Sequence, residues 1–227
     1  NLKNYIISLF KSDHKMIYSP KVKKKIDFKF KFNPGNKKIL VILSGADENL
    51  SAIESGNDIT SNHKYKRVFK DQLSWIEKLL NYAQNNLDKD FIFRPHPRDW
   101  PKINSKYVIS QNYNFFKNLE KRVLIQKNVF LDLPDYNYSI YNYLEFIDLC
   151  LTYGSTAGLE FGLFGIPVLD GDIFKLGYPP QLEMVYSNEN EFFSLLDKTE
   201  TYKKNISYSV NYFRWLNLLF EIDTIDI

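Results

Sequence analysis

The chain has 227 residues, of which 44% are hydrophobic and 25% are charged, with a net charge of +3. This composition excludes a disordered chain, supports one sizeable buried core and is short for two full α/β domains. No apolar run reaches the roughly 18 residues of a membrane helix, and no signal peptide opens the sequence. The single cysteine, Cys150, lies in an apolar run, so we expect a buried thiol, no internal disulfide and a cytoplasmic protein.

Positive charge is concentrated at the N-terminal end of the chain. Residues 1–38 contain eleven Lys and two acids, and the remainder has a net charge of −6. The cluster Lys21–Lys25 leads into residues 27–32, where Lys alternates with Phe, a pattern that predicts a half-exposed strand. We therefore predict a basic N-terminal segment or linker over 1–37. It is expected to be either a solvated basic surface or a peripheral contact with an anionic membrane at its inner face, with no nucleic-acid partner.

A domain is predicted over residues 38–227, where short apolar runs alternate with segments of helical periodicity. This alternation indicates an α/β fold with a Rossmann-like, mainly parallel sheet flanked by helices. The predicted strands cover residues 39–44, 90–93, 129–131, 148–152 and 166–170. The predicted helices cover residues 66–86, 114–121, 138–146, 189–197 and 206–220, with one more opening at 153–157 and ending at Phe164.

Unusual residues follow four of these strands, at the ends where open parallel sheets bind ligands. Gly45 follows the first strand, Arg94–Pro97 the second, Asp132–Pro134 the third and Gly154–Thr156 the fourth. Because the carboxyl ends of parallel strands share one edge, we expect these loops to line a common site.

The turn after the fourth strand has the chemistry of an anion site. Gly154 permits a tight turn, and Ser155 and Thr156 place two hydroxyl groups at the start of a helix. Glu160 lies one helical turn beyond Thr156, within reach of the ribose of a nucleotide whose phosphate the hydroxyls hold. The alternative is that Ser155 or Thr156 is only a helix cap, but a capping box does not explain Glu160.

The loop after the second strand carries a histidine between two prolines. The prolines stiffen the loop, so His96 is presented at little entropic cost and could donate to a phosphate oxygen or act as an acid. Arg94 and Arg98 could supply a guanidinium to the same anion. We therefore predict that His96 is a catalytic residue.

Other chemistries find little support in the sequence. His14 and His63 have no comparable setting, and neither they nor Cys150 show metal-ligand spacing. We interpret Asp170–Asp172 as a turn rather than a cation site. The sequence lacks a nucleophile elbow and a dinucleotide-binding glycine fingerprint. We therefore expect no metal and no other cofactor.

Taken as a set, these motifs resemble the C-terminal, donor-binding domain of GT-B glycosyltransferases. They are most similar to the bacterial capsule polysaccharide biosynthesis family, which includes Kdo transferases, and more distantly to sialyltransferases and CDP-glycerol glycerophosphotransferases. The resemblance covers about residues 38–180 and rests on Arg94–Pro97, Leu133–Pro134 with Ser139, Gly154–Glu160 and Gly165–Val168.

The resemblance implies roles for individual residues. His96, Ser155 and Thr156 would bind the donor phosphate, Glu160 would hold the ribose, and the loop Asp132–Pro134 would recognise the base. The implied function is transfer of a sugar from a nucleotide sugar, such as CMP-Kdo, to a glycan or glycolipid acceptor in capsule or surface polysaccharide synthesis.

Two alternatives remain open. A phosphotransferase acting on CDP-glycerol would use the same phosphate site. A non-catalytic nucleotide-binding or assembly module is also compatible, because about 38 residues before the first strand are too few for the N-terminal domain of a GT-B enzyme. We expect a longer chain or a partner subunit to supply that domain.

Overall fold

A computed structural model describes residues 2–12, 19–46, 67–100, 111–123, 126–172, 182 and 184–222, and His14 and His63 lie outside these ranges. The strands are β1 (Lys37–Ile42), β2 (Lys89–Arg94), β3 (Val129–Leu131), β4 (Leu149–Thr152) and β5 (Val168–Asp170). The helices are α1 (Leu2–Lys11), α2 (Gln72–Asn85), α3 (Gln111–Val123), α4 (Ala157–Leu163), α5 (Glu189–Asp197) and α6 (Ile206–Ile222). Among the described residues, no helix has the length and apolar character needed to cross a membrane.

The five described strands form one parallel sheet with the order β3-β2-β1-β4-β5. β1 pairs with β2 on one side, with Lys37 opposite Lys89, and with β4 on the other, with Ile39 opposite Leu149. The chain order therefore reverses between β1 and β4, and the loops that leave these two strands diverge over a crevice. The predicted α/β, Rossmann-like fold class is confirmed.

Helices cover both faces of the sheet, which explains why its strands are almost entirely apolar. Alternate residues of β1 point to opposite faces, so Ile39 and Val41 belong to one apolar cluster and Leu40 and Ile42 to another. The first cluster packs the sheet against α2, α3 and α5, and the second packs it against α1, α4 and α6. Cys150 is buried in the second cluster, as predicted, and burial raises the pKa of its thiol.

The predicted strand at residues 27–32 is wrong, because this segment is irregular in the structure. Its backbone forms hydrogen bonds with side chains instead of with a neighbouring strand. The Lys29 N–H, for example, donates to Tyr138 Oη at 2.9 Å. The alternation itself is real, since Phe28 and Phe30 are half-buried while Lys29 and Lys31 are exposed. Phe28 and its neighbours pack against the second cluster. The division into a segment 1–37 and a domain 38–227 stays a prediction.

Several element ends differ from the predicted ones. α2 begins at Gln72 rather than at 66, because Asp71 caps it and accepts from the Ser74 N–H at 2.7 Å. β1 ends at Ile42 rather than at 44, since the Ser44 N–H bonds to the Gln72 side chain. The helix predicted at 138–146 is a short 3₁₀ helix, Ile140–Glu145. β3 and α5 have the predicted bounds, whereas α1 was not predicted.

Candidate functional site

A cleft opens at the carboxyl ends of β1 and β2, next to the start of α4. Its cavity volume is about 90 Å³, and the empty space is about 550 Å³ when the part open to solvent is counted. The enclosed volume is smaller than the roughly 300–1,000 Å³ of sites that bury a whole small molecule, so the cleft encloses only part of a ligand and the rest would lie in its open mouth. The cleft is lined by Ser19, Ile42, Leu43, Arg94, Pro95, His96, Pro97, Ile140, Tyr141, Ser155, Thr156, Ala157 and Glu160.

The turn between β4 and α4 is built around the carboxylate of Asp170. Gly154 has a φ of 58°, in the left-handed region that favours glycine, and its N–H donates to Asp170 Oδ1 at 2.8 Å. The Asp172 N–H donates to the same oxygen at 2.8 Å, and the Thr152 hydroxyl donates to Oδ2 at 3.0 Å. Burial raises the pKa of Asp170 to about 6. Residues 170–172 thus form the predicted turn; the Asp170 carboxylate fixes its shape, and the Asp172 carboxylate pairs with Arg67 at 3.0 Å.

The hydroxyl residues at the start of α4 make only weak contacts within the protein. Thr156 is exposed and its side chain makes no capping hydrogen bond, although it stands at the cap position. The Ser155 hydroxyl accepts from the Ala157 N–H at a long 3.4 Å. Helix capping therefore does not explain Thr156, and both residues line the cleft.

The backbone N–H of Arg98 holds the His96 ring in one orientation. His96 caps a short 3₁₀ helix, Pro97–Asp99, and its Nδ1 accepts from the Arg98 N–H at 3.2 Å. This bond requires an unprotonated Nδ1, so the neutral ring carries its proton on Nε2. An imidazole of this tautomer is a donor at Nε2, which suits an anionic oxygen.

The Arg94 guanidinium is already paired inside the protein. Arg94 and Asp132 are both buried and form an ion pair, and the Arg94 Nη2 group donates to the Tyr138 carbonyl at 2.7 Å. Arg94 therefore lines the cleft with its positive charge already balanced by Asp132. Asp132 lies behind that wall, where its carboxylate holds Arg94 in place.

Glu160 is a buried carboxylate on the opposite side of the cleft. Its Oε1 accepts from the Tyr5 hydroxyl at 2.5 Å, and its Oε2 accepts from the Tyr141 hydroxyl at 2.7 Å. Both of these partners are neutral. Burial raises the pKa of Glu160, and the two hydroxyl groups oppose that effect. Tyr5 is 155 residues away in the sequence, so no local pattern could have indicated it.

The structure brings together five of the predicted site residues and leaves the others outside the lining. The lining includes Arg94, His96, Ser155, Thr156 and Glu160. Outside the lining, Leu133 packs in the first apolar cluster, Pro134 begins a 3₁₀ helix, and Arg98 is exposed. The remaining residues outside the lining, all buried, are Gly45, Asp132 and Gly154. Ser19, Ile140 and Tyr141 line the cleft but were not singled out from the sequence.

The described residues include no group of three or more His, Cys, Asp or Glu side chains that could hold a metal ion.

No family model matches this chain, and no curated protein matches it. Three solved structures are similar to it. The UDP-GlcNAc 2-epimerase of Methanocaldococcus jannaschii, in complex with UDP-GlcNAc and UDP, has 15% identity over 81% of this chain and 46% of its own, with a TM-score of 0.41. The β-Kdo 2,4 transferase KpsC of Thermosulfurimonas dismutans has 15% identity over 74% of this chain and 44% of its own, with a TM-score of 0.38.

The glycosyltransferase SnogD of Streptomyces nogalater has 12% identity over 70% of this chain and 32% of its own, with a TM-score of 0.33. The chain thus spans less than half the length of each similar structure. Similarity at this level does not carry a function over to the chain.

Proposed function

We propose that the cleft binds the phosphate of a nucleotide and that the chain is the donor-binding part of a glycosyltransferase. One observation carries this proposal: the loop of His96 and the turn of Ser155 and Thr156 line the same cleft, at the switch point of a parallel sheet. The cleft thus combines an imidazole donor and two hydroxyl groups, the groups that bind a phosphate without a metal.

In the proposed reaction an acceptor hydroxyl bonds to the anomeric carbon of the sugar and releases its proton to solvent. The bond from that carbon to the phosphate oxygen breaks, and its electron pair leaves with the nucleotide phosphate, on which negative charge develops. His96 Nε2–H and the hydroxyls of Ser155 and Thr156 donate to the phosphate oxygens and stabilise this charge. In this role His96 is the catalytic residue. Glu160 accepts hydrogen bonds from the ribose hydroxyls. We propose a CMP-linked donor such as CMP-Kdo, and a surface glycan or glycolipid as acceptor.

A non-catalytic nucleotide-binding module is the second candidate function. It is favoured by the internal pairing of Arg94 with Asp132, which leaves less positive charge for a transition state than the loop sequence predicts. This candidate predicts nucleotide binding without sugar transfer. It is therefore tested by assaying CMP-Kdo turnover in a sample that binds CMP.

The nucleotide site itself is tested by thermal unfolding with CMP, CDP, UDP and GDP. At a concentration 100 times the Kd, the bound nucleotide stabilises the folded protein by about 2.7 kcal/mol, a shift of about 5–10 °C at this chain length. We expect CMP to give this shift. His96→Ala and Ser155→Ala should remove most of it, because each deletes a donor to the phosphate.

Ser207→Ala is the matched control, because Ser207 is exposed on α6, outside the cleft lining. It should keep the full shift. If no nucleotide shifts the unfolding temperature of the well-folded chain, the proposed function is wrong.

We also propose that the basic segment contacts an anionic membrane at its inner face. Within this segment, six exposed lysines lie between residues 21 and 31, while Val22 and Phe28 pack against the second cluster, so the charge is displayed from a fixed stretch of chain. Each lysine near such a surface contributes about 1 kcal/mol. Replacing all six by Gln should abolish sedimentation with phosphatidylglycerol vesicles, whereas six Gln replacements at exposed lysines elsewhere should not. The six are Lys21, Lys23, Lys24, Lys25, Lys29 and Lys31.

A further inference from the structure

The N-terminal helix α1 reaches the wall of the cleft. Its apolar residues Leu2 and Leu9 are buried in the second cluster, on either side of Tyr5 in the sequence. The Phe10 ring lies 5.4 Å from the Phe164 ring and 5.8 Å from the Tyr141 ring, measured between centroids. These contacts fix the helix, so the Tyr5 hydroxyl is brought to Glu160 by packing rather than by a mobile tail.

Tyr141, which also lines the cleft, donates to the same carboxylate. It belongs to the 3₁₀ helix Ile140–Glu145, whose first N–H donates to Ser19 Oγ at 3.0 Å. Its ring is nearly parallel to that of Phe161, with centroids 6.4 Å apart. Tyr141 is 4% exposed, so its hydroxyl has little freedom to move away from Glu160.

The two hydroxyl groups bind different oxygens of Glu160, one each. A carboxylate has about four lone-pair positions, so this arrangement still leaves acceptor capacity. Glu160 is also among the residues that line the cleft. A ligand hydroxyl can therefore approach a carboxylate that is already held at both oxygens.

We propose that Tyr5 and Tyr141 are positioning residues that hold Glu160 as a fixed acceptor for hydroxyl groups of the bound ligand. The inference rests on the proposed function, because it assigns those hydroxyl groups to the nucleotide. It makes the N-terminal helix part of the ligand site rather than a linker in front of it.

The electrostatic setting supports this arrangement. Burial and the neighbouring Glu160 carboxylate both raise the pKa of Tyr5 and of Tyr141, so both hydroxyls remain protonated donors. The Arg94 cation, at the end of β2, partly opposes the rise in the pKa of Tyr141. A carboxylate held by such donors loses little rotamer entropy when a ligand binds.

The test compares the affinities of CMP and 2′,3′-dideoxy-CMP for the full chain by calorimetry. The unaltered protein should prefer CMP by about tenfold or more, because removing the ligand hydroxyls leaves the buried acceptor unpaired. Tyr5→Phe should reduce this preference by about three- to tenfold, since Glu160 is then less firmly held. Tyr141→Phe should have the same effect, and it carries the test if Tyr5→Phe folds poorly.

Tyr208→Phe is the control, because Tyr208 packs in the same cluster but does not line the cleft. It should leave the preference for CMP unchanged. If the unaltered protein binds neither nucleotide, the proposed function fails and the inference fails with it. If the unaltered protein prefers CMP and the Tyr5 and Tyr141 variants keep that preference, the inference alone is overturned. The same holds if these variants lower the affinities for both nucleotides equally.

Discussion

A buried carboxylate is associated with each wall of the cleft, and the partners of the two carboxylates differ in charge: Glu160 lines one wall, and Asp132 lies behind the other. On the β2 side, Asp132 is neutralised by the Arg94 guanidinium. On the α4 side, Glu160 is held by two neutral hydroxyl groups. Burial raises the pKa of both carboxylates; the Arg94 cation opposes this shift at Asp132, whereas two neutral hydroxyl groups oppose it at Glu160, so the charge of Glu160 is held at a cost in stability. That cost is typical of residues that are retained for binding.

The largest expected effect comes from breaking the ion pair of the first wall. Arg94→Met leaves Asp132 buried without its cation and should lower the free energy of unfolding by about 3–5 kcal/mol, measured by urea denaturation. The double change Arg94→Met with Asp132→Leu should recover most of this loss, because no uncompensated charge remains. A loss below about 1 kcal/mol for the single change would show that the pair does not hold the wall.

A smaller effect is expected on the second wall. Tyr141→Phe removes one of two hydrogen bonds to the Glu160 carboxylate and should cost about 1.5–3 kcal/mol of unfolding free energy. Tyr208→Phe, in the same apolar cluster, should cost clearly less. Equal costs for the two variants would mean that Glu160 does not depend on Tyr141.

The turn that supports the second wall should respond to pH. The pKa of Asp170 is raised from 3.8 to about 6, so between these values the folded protein binds more protons than the unfolded chain. The contribution of Asp170 to the free energy of unfolding is therefore fully present at low pH. It falls by about 1–3 kcal/mol as the pH rises from about 4 to about 6.

Asp170→Asn mimics the protonated form and isolates this contribution. The unfolding free energy of the unaltered protein, minus that of the variant, should fall from pH 4 to 6 and be flat above about 7. Contributions common to both proteins cancel in the difference. A difference that rises with pH would contradict the assigned direction.

The smallest effect is expected at the rim of the second wall. Thr156 is exposed and makes no capping bond, so Thr156→Ala should change the unfolding free energy by less than about 0.5 kcal/mol. Replacing a true helix cap by Ala would lower the unfolding free energy by about 1 kcal/mol. Asn188→Ala provides that comparison, because Asn188 caps α5 by accepting from the Glu191 N–H. Equal losses would restore the capping interpretation of Thr156.

Much of the architecture could be predicted because its signals are local. The β3 and α5 segments have the predicted bounds, and the tight turn at Gly154 was predicted from a single glycine. The predicted strand at 27–32 failed for a physical reason. Alternating Lys and Phe indicate only which side of the segment is buried. An irregular segment whose Phe rings pack against other aromatic rings produces the same alternation without a neighbouring strand.

The sequence by itself determined the order of the elements from β1 onward, the parallel sheet and the loops that meet at one edge of it. Apolar periodicity and the positions of Gly and Pro are properties of neighbouring residues, so they can be interpreted without coordinates. Only the tertiary structure decided which charged groups are paired and which face the cleft. Arg94 with Asp132 and Tyr5 with Glu160 are 38 and 155 residues apart, and such contacts arise from the packing of the whole chain.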